Sequence, residues 1–483
     1  MSGADGSPAA NSTGAPAPAM RVAIIGAGPS AFYAADALLN QQDCPCEVDM
    51  FDRLPTPFGL VRHGVAPDHL RIKTVTKAFS QVAAHPRFRF FGDVEFGSDL
   101  TIDDIAAHYH QVLFATGAQS DRRMEIPGED LAGSHPATSF VAWYNGHPDY
   151  RECQFDLSAE RAVIVGMGNV AIDVARILCL TPAELAASDM APHAVAALSQ
   201  SRVREVYLLG RRGPAQAAFT TPELKELGEL ADADIIVRPS EAALSADDEA
   251  ELQASGDRAL IRKVELIQTY AGRQPAGRPR RLHLRFLTAP VEIVDDGHGA
   301  VAAVRIVQNV LERSATGAVT ARPTDVFETL PAGLVFRSVG YRGTALPGVP
   351  FHERWGVILN RGGRVLDPAT DIAIPGQYAT GWIKRGPSGV IGTNKPDSVE
   401  TVHAMVEDAL AGRAFRPAAP DPAAVTHLLD RRGCRYLTFT DWQRLDAIEL
   451  AAGEECGRPR VKFTAVEDMV AALDAAEEDE SAA

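Results

Sequence analysis

Two short glycine-rich phrases, far apart in the chain, limit its fold more than any other feature. In the first, RVAIIGAGPSA at residues 21–31, an apolar run reads as a buried strand and a helix begins near Ser30. Gly26 permits the tight turn, Gly28 lets backbone approach a pyrophosphate, and Ala31 is small enough for helix to pack on strand. The helix start then offers unbonded N–H groups and the positive end of its dipole to phosphate. The second phrase, VIVGMGNVA at residues 163–171, again sets a glycine pair, Gly166 and Gly168, between an apolar run and a helix. Two such units predict an α/β chain with two Rossmann-like dinucleotide-binding domains.

The 483 residues are too many for a single core. With 46% apolar and 23% charged residues the composition is that of an ordinary globular protein, and a net charge of −16 disfavours general nucleic-acid binding. No apolar run approaches the roughly 18 residues that membrane insertion needs. The six cysteines, Cys44, Cys46, Cys153, Cys179, Cys434 and Cys456, include no C-x-x-C pair. That spacing removes the usual redox dithiols and iron–sulfur ligands, and reads as reduced thiols in a reducing compartment. Residues 1–19 are Ala, Pro, Gly and Ser, without the basic start of a secretion signal or the arginines of a transit peptide. They are expected to be disordered, as most of an N-terminal extension covering residues 1–20, and the protein to be cytoplasmic.

The first nucleotide unit is expected over residues 21–120. Its second strand, EVDMFD, ends in Asp52, about 20 residues past the glycines, where an acid accepts hydrogen bonds from ribose hydroxyls. The following PFGLVRHGVAPDH, residues 57–69, is rich in Gly and Pro and reads as a structured loop. Residues 88–96 read as a strand whose backbone meets an adenine, and VLFATG at 112–117 as a strand passing close to a cofactor. The second unit is expected over residues 121–333. Its second strand, near residues 206–209, is followed by Gly210, Arg211 and Arg212. A guanidinium grips a 2′-phosphate bidentately, so this nucleotide reads as NADPH, the alternative being a solvated basic turn. Residues 282–308 alternate like antiparallel strands. The chain is expected to return to the first unit at 334–483, beginning with the buried-strand pattern LVFRSVG. In YATGWIKRGPSGVI, residues 378–391, a glycine-rich turn offers N–H groups to a flavin. The tail beyond about residue 420 is given only a supporting role.

Six phrases in this order, GAGPSAFYAA, PFGLVRHGVAPDH, IPGEDL, VGMGNVAIDVARIL, LLGRRGPAQAAFT and GWIKRGPSGVIGTNK, resemble adrenodoxin reductase and the bacterial ferredoxin–NADP reductases of that type. The resemblance covers nearly everything from Met20 onward. It implies a glutathione-reductase-like flavoprotein with the NADP domain inserted in the FAD domain. Carried over, FAD contacts fall on Ser30, Asp52, Leu60, Phe96, Trp382, Gly389, Val390 and Ile391. NADP(H) contacts fall on Gly166, Met167, Gly168, Asn169, Val170, Arg211, Arg212, Glu223 and Gly389. Position 52 is glutamate in many relatives; aspartate keeps the acceptor. The implied activity takes a hydride from NADPH onto FAD and passes electrons singly to a ferredoxin or another small iron–sulfur carrier, in a monomer or weak homodimer.

No nucleophile or metal is needed for that chemistry. His69 and Glu226 match a family histidine and carboxylate near the flavin and nicotinamide, fit for holding or relaying a proton; structural roles remain the alternative. An acidic ferredoxin needs a basic patch, and Arg273, Arg278, Arg280 and Arg281, or Arg202, Arg204, Arg211 and Arg212, are the candidates. Disulfide reductases need a cysteine pair that is missing, and the small subunit of glutamate synthase normally has a cysteine-rich segment that is missing too. An NADPH diaphorase, a monooxygenase-type flavoenzyme and an FAD/NADP redox sensor without turnover remain as alternatives.

Overall fold

The computed structural model describes residues 19–314 and 318–482. The extension expected to be disordered lies outside the described residues up to position 18.

Strand Met20–Ile25 is buried along its whole length, as its run of branched apolar residues requires. It lies at the heart of a seven-stranded sheet, between Gln111–Phe114 and Cys46–Asp52, with Phe88–Gly92 beyond on one edge. On the other side come Ala373–Ala379, parallel, and a short antiparallel edge made by Arg364–Leu366 and Asn360–Arg361. The C-terminal part of the chain therefore completes the sheet that the N-terminal part begins. Helix Pro29–Leu39 covers one face, its Ala31, Ala34 and Ala35 fully buried. Small residues there let helix Asn394–Leu410 pack closely against it.

The second sheet has six parallel strands in the order Ser134–Pro136, Leu334–Arg337, Arg161–Val165, Glu205–Leu209, Arg280–Arg285 and Ala233–Val237. Two expectations change here. The run at residue 334 does not open the return to the first unit: Leu334 pairs with Ala162 and Val335 with both Val163 and Ser134. Its fully apolar pattern suits either sheet, and only register decides between them. The chain crosses back one step later, where Tyr341–Arg342 pairs with the outgoing Ser120–Asp121 in a two-stranded ribbon. Likewise Arg280–Arg285 is parallel, not antiparallel. It alternates because Leu282 and Leu284 enter the core while His283 stacks on Tyr207 and Arg285 is held by Glu241 and Glu328. True antiparallel strands come next, Thr288–Asp295, Val301–Arg313 and Val319–Pro331, as a separate sheet.

The loop at residues 57–69 contains one short helix, Leu60–His63. Its Arg62 forms a buried two-point ion pair with Glu449 of the tail, at 2.9 and 2.5 Å. Lys462, 4% exposed, donates to the carbonyls of Arg62 (3.2 Å) and Asn145 (3.3 Å) and lies 3.3 Å from Asp189. Asp189 in turn takes both bonds from Lys73 and donates its backbone N–H to the Pro67 carbonyl. The tail thus bolts the residue 57–69 loop to the second unit, a larger role than its mixed pattern promised. Phe88–Gly92 is shorter than expected because Gly92 turns to bridge Leu437 of the tail.

Candidate functional site

The two glycine loops are built alike. Gly26 has φ +102°, and a side chain there would meet the Ala115 carbonyl oxygen at 2.7 Å. Gly166 has φ +134° and abuts the Ser338 carbonyl oxygen in the same way. Both are left-handed positions that glycine alone fills without strain. Gly28 and Gly168 differ from them: a Cβ on either would meet nothing within 4 Å. Each loop therefore leaves a free concave face beside a helix start, the shape a pyrophosphate needs.

Around the first loop the predicted residues gather. Gly59 lies against Gly28, and Phe58 donates to the Ala27 carbonyl, which brings Leu60 to the loop. Ser30 faces Gly381, next to Trp382. The indole of Trp382 donates to the Ser388 carbonyl (3.1 Å), closing the turn that presents Gly389, Val390 and Ile391, and Val390 is exposed. Asp52 is already engaged: one carboxylate oxygen accepts from Ala27 N–H at 2.7 Å and the other from Leu54 N–H at 2.9 Å. Burial raises its pKa against those bonds. The Phe96 side chain sits in the core, edge-on to Phe114 at 5.5 Å, so a nucleotide meets only its backbone.

Around the second loop, Met167 covers Gly210 and its carbonyl accepts from Ala218 and Phe219. Asn169 Oδ1 accepts from Thr220 N–H at 2.9 Å, so this residue fixes the approach of helix Thr221–Leu227. Val170 stands next to it in the first turn of helix Asn169–Ile177. Asn309 donates to the Arg211 carbonyl at 2.8 Å and Leu287 to that of Arg212. The turn is clamped by its backbone, leaving both guanidinium groups exposed. The two arginine groups adjoin at one end, where Arg281 donates its N–H to the Arg204 carbonyl. Arg202 and Arg204 precede strand Glu205–Leu209 and Arg211 and Arg212 follow it, so the pairs flank opposite ends of a strand about 17 Å long. Arg273, Arg278, Arg280 and Arg281 each have a partner: Tyr270 and Gly228, Leu230 and Ala233, Asp232, and Glu205.

Between the loops the structure brings together the two residues expected to act on protons. His69 Nε2 lies 2.8 Å from Glu226 Oε2, across the seam between the units. Two residues missed in the sequence complete the group, Asp173 and Arg176 on helix Asn169–Ile177. Their signal was there: two opposite charges three apart in the otherwise apolar VAIDVARIL. His69 Nδ1 lies 4.0 Å from Asp173 Oδ1, and Arg176 bonds Asp173 at 2.5 Å, pairs with Asp68 and lies 3.7 Å from Glu226. Glu223, three residues before Glu226 on the same helix face, is 9% exposed, and its Oε2 has no hydrogen-bond partner. Tyr144 also has a buried hydroxyl without a partner.

The charges interact strongly. Burial opposes the imidazolium of His69, but the Glu226 hydrogen bond and the Asp173 and Glu223 charges outweigh it and raise its pKa. The same hydrogen bond holds the Glu226 carboxyl below the usual range. Burial, then repulsion from Glu223 and Glu226, pushes Asp173 well up, and burial, with repulsion from Glu226, pushes Glu223 up. One end of the seam is thus an ion pair, and the other holds two buried carboxyls, Asp173 bonded by Arg176 and Glu223 with one oxygen unpartnered.

Residues 20–284 match the family described as pyridine nucleotide-disulphide oxidoreductase. The chain is 45% identical over 457 residues to the NADPH-ferredoxin reductase FprA of Mycobacterium tuberculosis, covering 93% of this chain and 98% of that one. It is 41% identical over 461 residues to the mitochondrial NADPH:adrenodoxin oxidoreductase of Arabidopsis thaliana, covering 94% and 95%. Among solved structures, Mycobacterium tuberculosis FprA in complex with NADPH superposes with a TM-score of 0.89 at 43% identity, over 94% of this chain and all of that one.

Proposed function

The chain belongs to the pyridine nucleotide-disulphide oxidoreductase family, among its adrenodoxin-reductase-type ferredoxin–NADP reductases, and we propose that it passes electrons from NADPH through FAD to a ferredoxin-type iron–sulfur protein. One observation carries the reading. Two empty-faced glycine loops stand on separate sheets, and His69 on the side of the first bonds Glu226 on the side of the second at 2.8 Å.

The residues present fit both nucleotides. The open face at Gly28, with Ser30, Leu60 and Trp382 around it, suits FAD, and Asp52 keeps spare lone pairs for a ribose hydroxyl. The open face at Gly168 suits the second pyrophosphate. Arg211 and Arg212, exposed and clamped only by their backbone, suit a 2′-phosphate and so favour NADPH over NADH. The unpartnered Glu223 carboxylate suits the amide of a nicotinamide. FAD supplies the hydride acceptor and the single-electron release that an iron–sulfur carrier requires.

The protein's part is placement. His69 and Glu226 close the seam and keep one proton between Nε2 and Oε2, where it would be available to the reacting rings when both nucleotides are bound. The bolt through Lys462 and Asp189 holds the residue 57–69 loop, and with it His69, at a fixed distance from the second unit. The six cysteines are free and include no C-x-x-C pair, which supports an outside electron acceptor over a redox disulfide. Free thiols also suit a reducing compartment, and we assign the protein to the cytoplasm. No described helix is long and apolar enough to cross a membrane.

The test is NADPH-driven cytochrome c reduction with and without added ferredoxin. Strong stimulation by ferredoxin, largely lost when NADH replaces NADPH, is the expected result. Flavin reduction with no ferredoxin stimulation would leave an NADPH diaphorase.

A further inference from the structure

We propose that His69, Asp173 and Glu223 form a divalent-cation site, with donors that suit zinc, that shuts the nicotinamide end of the second nucleotide site when it is filled. Its overlap with the nicotinamide rests on the proposed NADPH-binding function; its existence as a cation site does not.

Three side chains from distant parts of the chain bring one ligand atom each to within 4.8 Å of the others. Zinc bonds of about 2.0–2.2 Å put neighbouring donors roughly 3–4 Å apart, so the cluster closes by side-chain adjustments of about 1 Å. The His69 ring is already turned for it. Glu226, a carboxylate, can only accept, so when a cation displaces one proton of the imidazolium the proton that stays lies on Nε2 in the 2.8 Å bond. That leaves the Nδ1 lone pair on the side of Asp173, 4.0 Å away. A carboxylate behind a histidine in this way is how metal-binding imidazoles are oriented and made more basic.

Glu223 is the second, independent observation. It is 9% exposed and its Oε2 has no hydrogen-bond partner, a desolvated acceptor on a side chain whose carboxylate comes within 4.8 Å of the other two donors. Charge points the same way. Asp68, Asp173, Glu223 and Glu226 surround this seam, and Arg176 is the guanidinium that answers them. A dication offsets the excess, and one imidazole with two carboxylates, leaving room for water, is a donor set that zinc accepts. The sequence concealed the cluster because its members stand at positions 69, 173 and 223, with no ligand spacing to read.

Zinc binding to the FAD-loaded full chain, free of nucleotide, is measured by titration calorimetry for wild type, Asp173→Asn, Glu223→Gln and Cys456→Ser. One zinc per chain is expected in wild type and in Cys456→Ser, weakened at least tenfold in the other two. The zinc X-ray absorption edge should show a nitrogen and oxygen shell with no sulfur. Saturating NADP+ should weaken zinc binding at least tenfold, and zinc should raise the NADPH KM with kcat unchanged, reversed by EDTA. Absence of stoichiometric binding, a sulfur shell, or binding lost only in Cys456→Ser would overturn the site. Zinc binding indifferent to NADP+ would overturn the closure. Because the titration needs no turnover, either failure is distinct from failure of the ferredoxin assay.

Discussion

The two nucleotide units share a turn and part company one strand later. Gly26 and Gly166 have the same left-handed backbone, each pressed against a carbonyl at the end of a neighbouring strand, of Ala115 and of Ser338. After the next strand, the first unit ends in Asp52, folded inward onto the N–H groups of Ala27 and Leu54. The second ends in Arg211 and Arg212, held only by their carbonyls and pointing out. The shared part serves any pyrophosphate. Under the proposed function the strand end selects the nucleotide: an acid for a hydroxyl, a pair of cations for another phosphate.

The largest test of that comparison is to break each turn separately. Gly26→Ala and Gly166→Ala each combine a strained φ, about 1–2 kcal/mol, with overlap of a fixed carbonyl, about 1–3 kcal/mol. Gly26→Ala should be recovered without FAD. Gly166→Ala should keep its flavin yet show an NADPH KM raised roughly 100-fold. Flavin retention on gel filtration and stopped-flow reduction by NADPH separate them, and equal loss of both cofactors in both variants would end the division of labour.

Next in size is the strand end. Arg211→Ala with Arg212→Ala removes two charge-assisted contacts of about 1.5–3 kcal/mol each. The NADPH KM should rise about 100-fold or more while NADH kinetics stay within about twofold. Equal losses with both nucleotides would mean that the pair serves the turn and not the 2′-phosphate.

A smaller effect tests what holds the units in register. Lys462→Met strips the donor from the Arg62 and Asn145 carbonyls but leaves Asp189 with Lys73. Urea unfolding should report a loss of about 1–3 kcal/mol, and flavin reduction should slow more than NADPH binding weakens. Unchanged reduction in a destabilised variant would make the bolt a matter of stability alone.

The smallest effect is the pH dependence of the seam. His69 is raised above its ordinary 6.5, so its share of stability is complete below 6.5 and fades as pH climbs through the raised value. Glu226 is lowered from 4.5, so its share is complete above 4.5 and fades as pH falls through the lowered value. The stability difference between wild type and Glu226→Gln should be flat from pH 4.5 to 6.5 and shrink on both sides. A difference that grows above neutral pH would contradict the ion pair.

Much of the candidate site was legible because it is local. A glycine turn, the helix behind it and the residue ending the next strand lie within about 30 residues, and their chemistry comes from spacing. Asp173 and Arg176 were visible as misplaced charges in an apolar helix, but nothing local named their partners, Asp68 and His69. The tail looked peripheral because its pattern is mixed, yet its Glu449 and Lys462 are both buried against a loop some 400 positions earlier.

The sequence alone determined two dinucleotide loops, their opposite preferences at the strand end, and a chain with no redox dithiol. These depend on φ, on side-chain size and on charge at fixed offsets, which neighbouring residues carry with them. The tertiary structure alone decided which sheet takes Leu334–Arg337, where the chain crosses back, and that His69, Asp173 and Glu223 converge. An apolar strand fits any buried slot and a charge fits any partner within reach. Register and the packing of one unit on the other select among them, and neither is written in any single stretch of the chain.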